Sequence, residues 1–144
     1  MTRIRKALPS DAGELSRISR ACLADHWSEE AFLSHLEGAG SIILVAEDSC
    51  TAGFICASKE GETLYIESIA VSSECRRQGT GAQLVSALHR MHPECDIVLD
   101  VRISNSSAIS FYEHLGFERL CIRRRMYSSP AEDGITMKMK CLHR

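Results

Sequence analysis

The sequence lacks a long hydrophobic run, an excess of either charge and a signal-like start. Its longest aliphatic stretch, I-I-L-V-A at residues 42–46, is far shorter than the ~20 residues of a membrane-spanning helix. The first six residues, M-T-R-I-R-K, have no apolar signal core behind their charges. With 19 acidic and 17 basic residues the net charge is −2, which argues against a broad nucleic-acid-binding surface. These absences indicate a globular protein with no membrane and no direct nucleic-acid partner.

Cysteines are plentiful, but the patterns that would give them a structural use are missing. The seven cysteines are an odd number, no two are spaced as C-x-x-C, and none lies beside a histidine at zinc-ligand spacing. Without a secretion signal, the simplest interpretation is reduced thiols in a cytoplasmic protein that binds no metal. Prolines are scarce: Pro9, Pro93 and Pro130 each fall between periodic segments, so proline interrupts no predicted element.

The hydrophobic pattern predicts one α/β domain. A chain of 144 residues suits a single domain. Helices are predicted to begin near Asp11, which has capping-box spacing to Glu14, after Ser28, after the glycine turn at 79–81, and at Asn105 with Gly116 as its C-cap. Strands are predicted at residues 2–7, 41–47, 51–58, 64–71, 97–101, 117–122 and 135–140. Antiparallel pairs followed by strand–helix–strand predict a mixed sheet with helices on both faces.

A glycine turn between a strand and a helix is the most informative segment. The strand E-S-I-A-V at 67–71 leads to R-R-Q-G-T-G-A at 76–82. Free N–H groups at a helix start, the helix dipole, glycines and arginines together suit a phosphate. The turn is not a Walker A loop, because Ala82 stands where lysine is required, nor a dinucleotide fingerprint, because Leu84 replaces the third glycine. The alternative is a plain strand–helix connection with solvated arginines.

R-R-Q-G-T-G-A after a strand ending S-I-A-V resembles the acyl-CoA-binding motif of the GNAT superfamily of N-acetyltransferases, written [QR]-x-x-G-x-[GA]. The resemblance implies that acetyl-CoA is a co-substrate. It implies that Ile69, Ala70 and Val71 face the acetyl-pantetheine arm. It also implies that one run of residues cradles the pyrophosphate: Arg76, Arg77, Gln78, Gly79, Thr80, Gly81 and Ala82.

A second segment, L-D-V-R-I-S-N-S-S-A-I-S-F-Y-E-H-L-G-F at 99–117, resembles the GNAT signature L-E-V-R-x-x-N-x-x-A-x-x-L-Y-x-x-L-G-F. That form is closest to the ribosomal-protein-alanine N-acetyltransferase (RimI-like) branch. H-W-S-E-E-A-F at 26–32, R-R-R-M-Y at 123–127 and E-D-G-I-T-M at 132–137 resemble further segments of that branch. The resemblance implies a GNAT-like mixed sheet of about six to seven strands flanked by about four helices, with residues 1–144 as a single GNAT domain.

The resemblance also implies catalytic roles. Asp100 occupies the position of the proposed base, which is glutamate in the branch. Tyr112 occupies the position of the proposed acid. Asn105 occupies the position of the asparagine that binds the coenzyme arm. Each has an alternative: Asp100 could pair with Arg102 on its own strand face, Tyr112 could be a core aromatic, and Asn105 could be only a helix cap. Glu67 is the competing base, and strict alternation would place it on the face of Ile69.

These features predict an acetyl-CoA-dependent N-acetyltransferase that moves an acetyl group directly to a protein N-terminal amine, of the ribosomal-protein N-terminal alanine type. A carboxylate base and a tyrosine acid supply the chemistry such a transfer needs. Two alternatives stay open: a GNAT enzyme acting on a small amine, and a catalytically idle CoA-binding module, which the aspartate at position 100 leaves open. A monomer or weak homodimer is expected.

Overall fold

The computed structural model describes residues 2–76 and 78–142, and a seven-stranded sheet lies at the centre of this part of the chain. Its strands are β1 (Arg3–Lys6), β2 (Ser41–Glu47), β3 (Thr51–Glu60), β4 (Thr63–Val71), β5 (Asp96–Arg102), β6 (Glu118–Tyr127) and β7 (Glu132–Met139). Its helices are α1 (Ala12–Cys22), α2 (Glu29–Glu37), α3 (Thr80–Met91) and α4 (Ser106–Leu115). The spatial order is β1-β2-β3-β4-β5-β7-β6, and only β4 and β5 of these described strands pair in parallel. The predicted mixed GNAT-like sheet is confirmed.

The helices cover both faces of the sheet. Leu44 and Val45, adjacent in β2, belong to different cores because successive strand residues point to opposite faces. One core packs α3 and α4 on the sheet, and the other packs α1 and α2, where Phe32 meets Phe54 edge to face at 5.1 Å. Among the described residues no helix combines the length and the apolar character needed to cross a bilayer.

Local helix signals are confirmed at three ends. Ser28 Oγ accepts a hydrogen bond from Ala31 N at 3.1 Å and begins α2. Asn105 Oδ1 accepts one from Ala108 N at 3.2 Å and begins α4. Gly116, with φ of +109°, ends α4 in the left-handed conformation that glycine adopts without strain. In each case the signal lies within a few residues of its target.

The capping box predicted for α1 is wrong. The Asp11 carboxylate turns back to accept the Leu8 N–H at 2.7 Å and to form a bidentate pair with Arg5, 2.9 Å for each bond. Glu14 pairs with Arg17 instead. A charged partner from β1 outcompetes the backbone N–H groups of the helix, because a bidentate guanidinium pair is the stronger interaction.

The last two strands also differ from their predicted bounds. β6 was predicted over 117–122 and extends to Tyr127, while β7 begins at Glu132 rather than at residue 135. β6 is an edge strand whose residues are nearly all exposed. An exposed edge needs no apolar alternation, so the arginine run at 123–125 gave no strand signal.

The sheet opens between β4 and β5. These strands pair from Thr63 with Asp96 as far as Ile66 with Leu99, and the described pairing goes no further. Beyond that point, residues 67–71 and 100–102 diverge and leave a wedge. The β3–β4 register also shifts there, so that Glu67 has no residue opposite it on β3, as in a β-bulge. The bulge corrects the predicted alternation: Ile69 packs against the same core as Ile66.

Candidate active site

Two cavities meet in the wedge between β4 and β5. The larger, about 590 Å³, runs from the end of β4 past the glycine turn to α4, and we call it the glycine-turn cavity. The smaller, about 220 Å³, contains Glu67 and Asp100, and we call it the carboxylate cavity. Four residues line both: Ile69, Asn105, Ala108 and Tyr112. The two cavities are therefore neighbouring compartments of one site.

Most of the residues predicted to hold the coenzyme line the glycine-turn cavity. These are Ile69, Ala70, Val71, Arg76, Gly79, Thr80, Gly81, Ala82 and Asn105. Gln78 is exposed and does not line it. Arg77 lies outside the described residues. Their contribution to binding stays a prediction, but the structure brings the strand, the turn and the helix start together around one space.

The two glycines of the turn are needed for different structural reasons. Gly79 has φ of +75°, a conformation that glycine adopts without strain. A Cβ built on it would meet nothing within 4 Å, so the space beside the start of α3 is open. A Cβ on Gly81 would lie 3.0 Å from the Phe111 ring, so Gly81 lets α3 approach α4 closely. Arg76 Nε donates to the Val71 carbonyl at 3.2 Å and ties the turn back to β4. The first residues of α3, whose N–H groups have no partner within the helix, therefore line the cavity.

Each cavity also contains a buried hydroxyl without a partner. Thr80 Oγ1 lines the glycine-turn cavity and Ser68 Oγ lines the carboxylate cavity, and neither has a hydrogen bond within the described part of the chain. Buried polar groups are rarely left unsatisfied in a finished structure. A ligand that spans both cavities, polar at the glycine turn and at Ser68, would satisfy them.

Tyr112 lies where the two cavities join. Its side chain is 7% exposed and packs edge to face against Phe111 and Phe117. Burial, with a smaller effect from Tyr127, raises the pKa of the Tyr112 hydroxyl well above its usual value of 10. The core interpretation is therefore correct for the ring, but the residue also lines both cavities. At neutral pH the hydroxyl carries its proton, as a general acid requires.

Asp100 is held by the neighbouring strand, not by Arg102. Thr136 Oγ1 donates to Asp100 Oδ1 at 2.5 Å, and Arg123 Nε donates to Thr136 Oγ1 at 3.0 Å. The predicted alternative of an Asp100–Arg102 pair is wrong, since Arg102 pairs with Asp25 and Glu132. Thr136 stands opposite Asp100 in the β5–β7 register, which the sequence could not reveal.

Glu67 enters the carboxylate cavity from β4 with both of its carboxylate oxygens in contact with other side chains. Ser58 Oγ donates to Glu67 Oε1 at 2.5 Å. His35 Nε2 lies 2.8 Å from Glu67 Oε2, out of line for a hydrogen bond. Neither Ser58 nor His35 was predicted, because both reach Glu67 through tertiary packing.

Two further residues of the carboxylate cavity were missed. Asp25, from the segment between α1 and α2, and Tyr127, at the end of β6, line it. Burial, followed by the charge of Asp100, raises the pKa of Tyr127. Tyr127 belongs to the R-R-R-M-Y segment, so a family signal was present for it, whereas nothing in the sequence singled out Asp25.

The arrangement is suited to acyl transfer between two substrates. One compartment offers a helix start and an arginine to a polyanion, and the other offers carboxylates to an amine. The buried hydroxyl of Tyr112 lies at their junction. Among the described residues no group of three or more His, Cys, Asp or Glu side chains could hold a metal ion.

Comparison with known proteins agrees with this geometry. The model of the acetyltransferase (GNAT) family matches residues 12–117. An N-alpha-acetyltransferase from Sulfurisphaera tokodaii is 32% identical, over 94% of this chain and 90% of its own length. The ribosomal protein bS18 alanine N-acetyltransferase of Escherichia coli is 29% identical over 93% of this chain and 91% of its own. The crystal structure of the ribosomal-protein-S18-alanine N-acetyltransferase from Escherichia coli matches with a TM-score of 0.89 and 28% identity, covering 100% of this chain and 96% of that one. The chain therefore belongs to the GNAT family and is an N-acetyltransferase that uses acetyl-CoA.

Proposed function

We propose that the protein acetylates the α-amino group of a protein N-terminus, with an N-terminal alanine of a ribosomal protein as the first acceptor to test. The observation that carries this proposal is the meeting of the two cavities at Ile69, Asn105, Ala108 and Tyr112. A thioester entering from the glycine turn would reach the junction where an amine is held beside Glu67 and Asp100. The names of relatives that act on N-termini support the choice of acceptor.

In this proposal the glycine-turn cavity holds acetyl-CoA. The N–H groups at the start of α3 and the Arg76 guanidinium would face the pyrophosphate, because both present positive charge to the same cavity. The β4 backbone from Ile69 to Val71 would face the pantetheine arm, since its β5 side is free of ladder hydrogen bonds. Thr80 Oγ1 is a buried donor in this cavity that has no hydrogen-bond partner among the described residues.

The reaction is a direct transfer. The acceptor ammonium gives a proton to a carboxylate, and the neutral amine attacks the carbonyl carbon of the thioester. The C–S bond breaks as the C–N bond is completed, the leaving thiolate takes the proton of the Tyr112 hydroxyl, and the nitrogen releases its second proton to water. The products are the N-acetylated chain and free CoA. Tyr112 then regains a proton, which the protonated carboxyl can return through water.

Asp100 is the better candidate for the base. Its Oδ1 is oriented by Thr136, and Oδ2 has no hydrogen bond among the described residues, so one oxygen can accept a proton. Glu67 has Ser58 on one oxygen and His35 on the other. The carboxylates of Glu67 and Asp100 also make the cavity attractive to an ammonium group, whereas the charge of Asp25 is paired with Arg102.

A small-amine acceptor is the second candidate, favoured by the small carboxylate cavity of about 220 Å³. We also propose that the reaction takes place in the cytoplasm. Within the described residues no disulfide joins the seven cysteines, which suits a reducing compartment.

The test is an acetylation assay with an alanine-starting peptide of a ribosomal protein. The matched control is the same peptide with a blocked N-terminus, and spermidine and free amino acids form the small-amine panel. We expect transfer to the free N-terminus alone, located by mass spectrometry. Transfer only to the small amines would replace the proposal with the second candidate. Tight acetyl-CoA binding in calorimetry without transfer to any amine would identify an idle CoA-binding module.

A further inference from the structure

Arg102 lines the carboxylate cavity and joins two segments that are distant in the sequence. Its guanidinium donates two hydrogen bonds of 2.9 Å to the Asp25 carboxylate, which lies between α1 and α2. It also donates to the carbonyls of Pro130 at 2.9 Å and Ser128 at 3.2 Å, in the turn between β6 and β7. Glu132, at the start of β7, accepts a further bond at 3.2 Å.

The guanidinium is almost fully enclosed by these partners. The Arg102 side chain is 10% exposed, and its guanidinium carbon lies 4.6 Å from the centre of the Tyr127 ring. The hydrogen bond from Arg102 lowers the pKa of the Asp25 carboxyl. Asp25 is therefore a charged, engaged carboxylate and not a third candidate base.

The first of these segments, and Tyr127 directly before the second, line the cavity that we propose for the acceptor. Leu23, Ala24 and Asp25 line the carboxylate cavity from one side, and Tyr127 lines it from another. Neither segment is a helix or a paired strand throughout: residues 23–28 separate α1 from α2, and residues 128–131 form the β6–β7 turn. Arg102 bonds to both segments and so links them directly across the cavity.

We infer that Arg102 is a positioning residue that sets the acceptor entrance, acting through Asp25 on one side and Tyr127 with the β6–β7 turn on the other. The inference rests on the proposed function, because the entrance matters only if an amine is bound there. Arginine is required because its planar fork meets a carboxylate with two bonds while lying over a ring, and lysine has no fork to do both at once. In the proposed function acetyl-CoA binds in the other cavity, which Arg102 does not line.

The experiment compares Arg102→Lys and Asp25→Asn with the wild type. Asp25→Asn changes a side chain that is 57% exposed, so this variant keeps the test open if Arg102→Lys folds poorly. We expect both variants to raise KM for the acceptor peptide about tenfold, equivalent to about 1.4 kcal/mol, with KM for acetyl-CoA within about twofold of the wild type. The matched control is Arg119→Lys, which loses a similar pair with Glu113, 3.0 Å long, on the exposed surface. That control should change neither constant.

A second readout needs no acceptor. Hydrogen–deuterium exchange of the free enzyme should show faster exchange at both residues 23–28 and 128–131 in Arg102→Lys, and not in Arg119→Lys. An unchanged peptide KM in an active enzyme would overturn the inference, as would an equal rise of KM for both substrates. If the wild type acetylates no amine, the proposed function fails, and exchange alone then decides: faster exchange at both segments supports the role of Arg102, and unchanged exchange refutes it.

Discussion

Thr136 Oγ1 donates a hydrogen bond of 2.5 Å to Asp100 Oδ1, from a residue that is 3% exposed on the neighbouring strand. The two residues are register partners in the β5–β7 pair, so the sheet itself places donor and acceptor side by side. Aspartate stands here where the RimI-like branch has glutamate, and its shorter side chain stays within reach of β7. The strand pairing thus orients the carboxylate that we propose as the base.

Replacing Thr136 by valine keeps the shape and removes this donor. We expect kcat to fall about tenfold with acetyl-CoA affinity unchanged. A tenfold change corresponds to the free energy that one hydrogen bond to a charged group contributes. Thr136→Ser is the matched control, because it keeps the hydroxyl and should retain most of the rate. Steady-state kinetics with the acceptor peptide decide the matter. Equal rates in the valine and serine variants would show that the hydroxyl does not support catalysis.

Asp100→Asn and Glu67→Gln distinguish the two candidate bases. We expect Asp100→Asn to lower kcat by about 10²–10⁴-fold, the usual contribution of a general base. Glu67→Gln should cost much less, since the Glu67 oxygens already contact Ser58 and His35. Both amides are nearly isosteric with the acids they replace, so each variant serves as the packing control for the other. The reverse order of effects would identify Glu67 as the base.

Tyr112→Phe removes the proposed acid while keeping the ring in its core. We expect kcat to fall about 10²-fold or more with little change in acetyl-CoA binding, measured by calorimetry. Because the pKa of Tyr112 is raised above 10, the wild type should show no alkaline loss of kcat from this residue below about pH 10. An unchanged rate in the phenylalanine variant would exclude Tyr112 as the acid.

The raised pKa of Tyr112 also has a consequence for stability. Ionisation is harder in the folded state than in the unfolded state, so the unfolded state loses its proton first as pH rises. Folding stability should therefore be complete below about pH 10 and decline above it. Denaturant unfolding of the wild type and Tyr112→Phe between pH 8 and 11 measures this. The variant should lose less stability over that range, and identical losses would contradict the buried environment of the hydroxyl.

Gly79 offers a test of the glycine-turn cavity. Its φ of +75° makes alanine unfavourable by about 1–2 kcal/mol, and the added methyl group would point into open space beside α3. We expect Gly79→Ala to lower both the free energy of unfolding and the affinity for acetyl-CoA. Gly61→Ala is the matched control, because Gly61 has φ of +59° and open space but lies in the β3–β4 turn. It should lose stability and keep its affinity, and equal affinities in both variants would place the coenzyme elsewhere.

The predicted elements largely agree with the structure because their signals are local. Ser28, Asn105 and Gly116 lie at the helix ends that they define, and the glycine turn directly joins its strand to its helix. Where prediction was wrong, the cause was not periodicity: Asp11 pairs with Arg5 from β1 and does not cap α1, and the exposed edge strand β6 has no apolar alternation. Neither feature can be read from the hydrophobic pattern or from capping-box spacing.

The sequence alone determined the α/β pattern, the glycine turn and the candidate residues Glu67, Asp100, Asn105 and Tyr112, since each rests on short-range periodicity or on a motif whose spacing resembles that of the GNAT family. Only the tertiary structure decided how those residues are used. The divergence of β4 from β5 creates the cavities, and contacts such as Arg102 with Asp25, 77 residues apart, border the acceptor side. Strand register and loop contacts depend on the packing of the whole chain, so no local pattern specifies them.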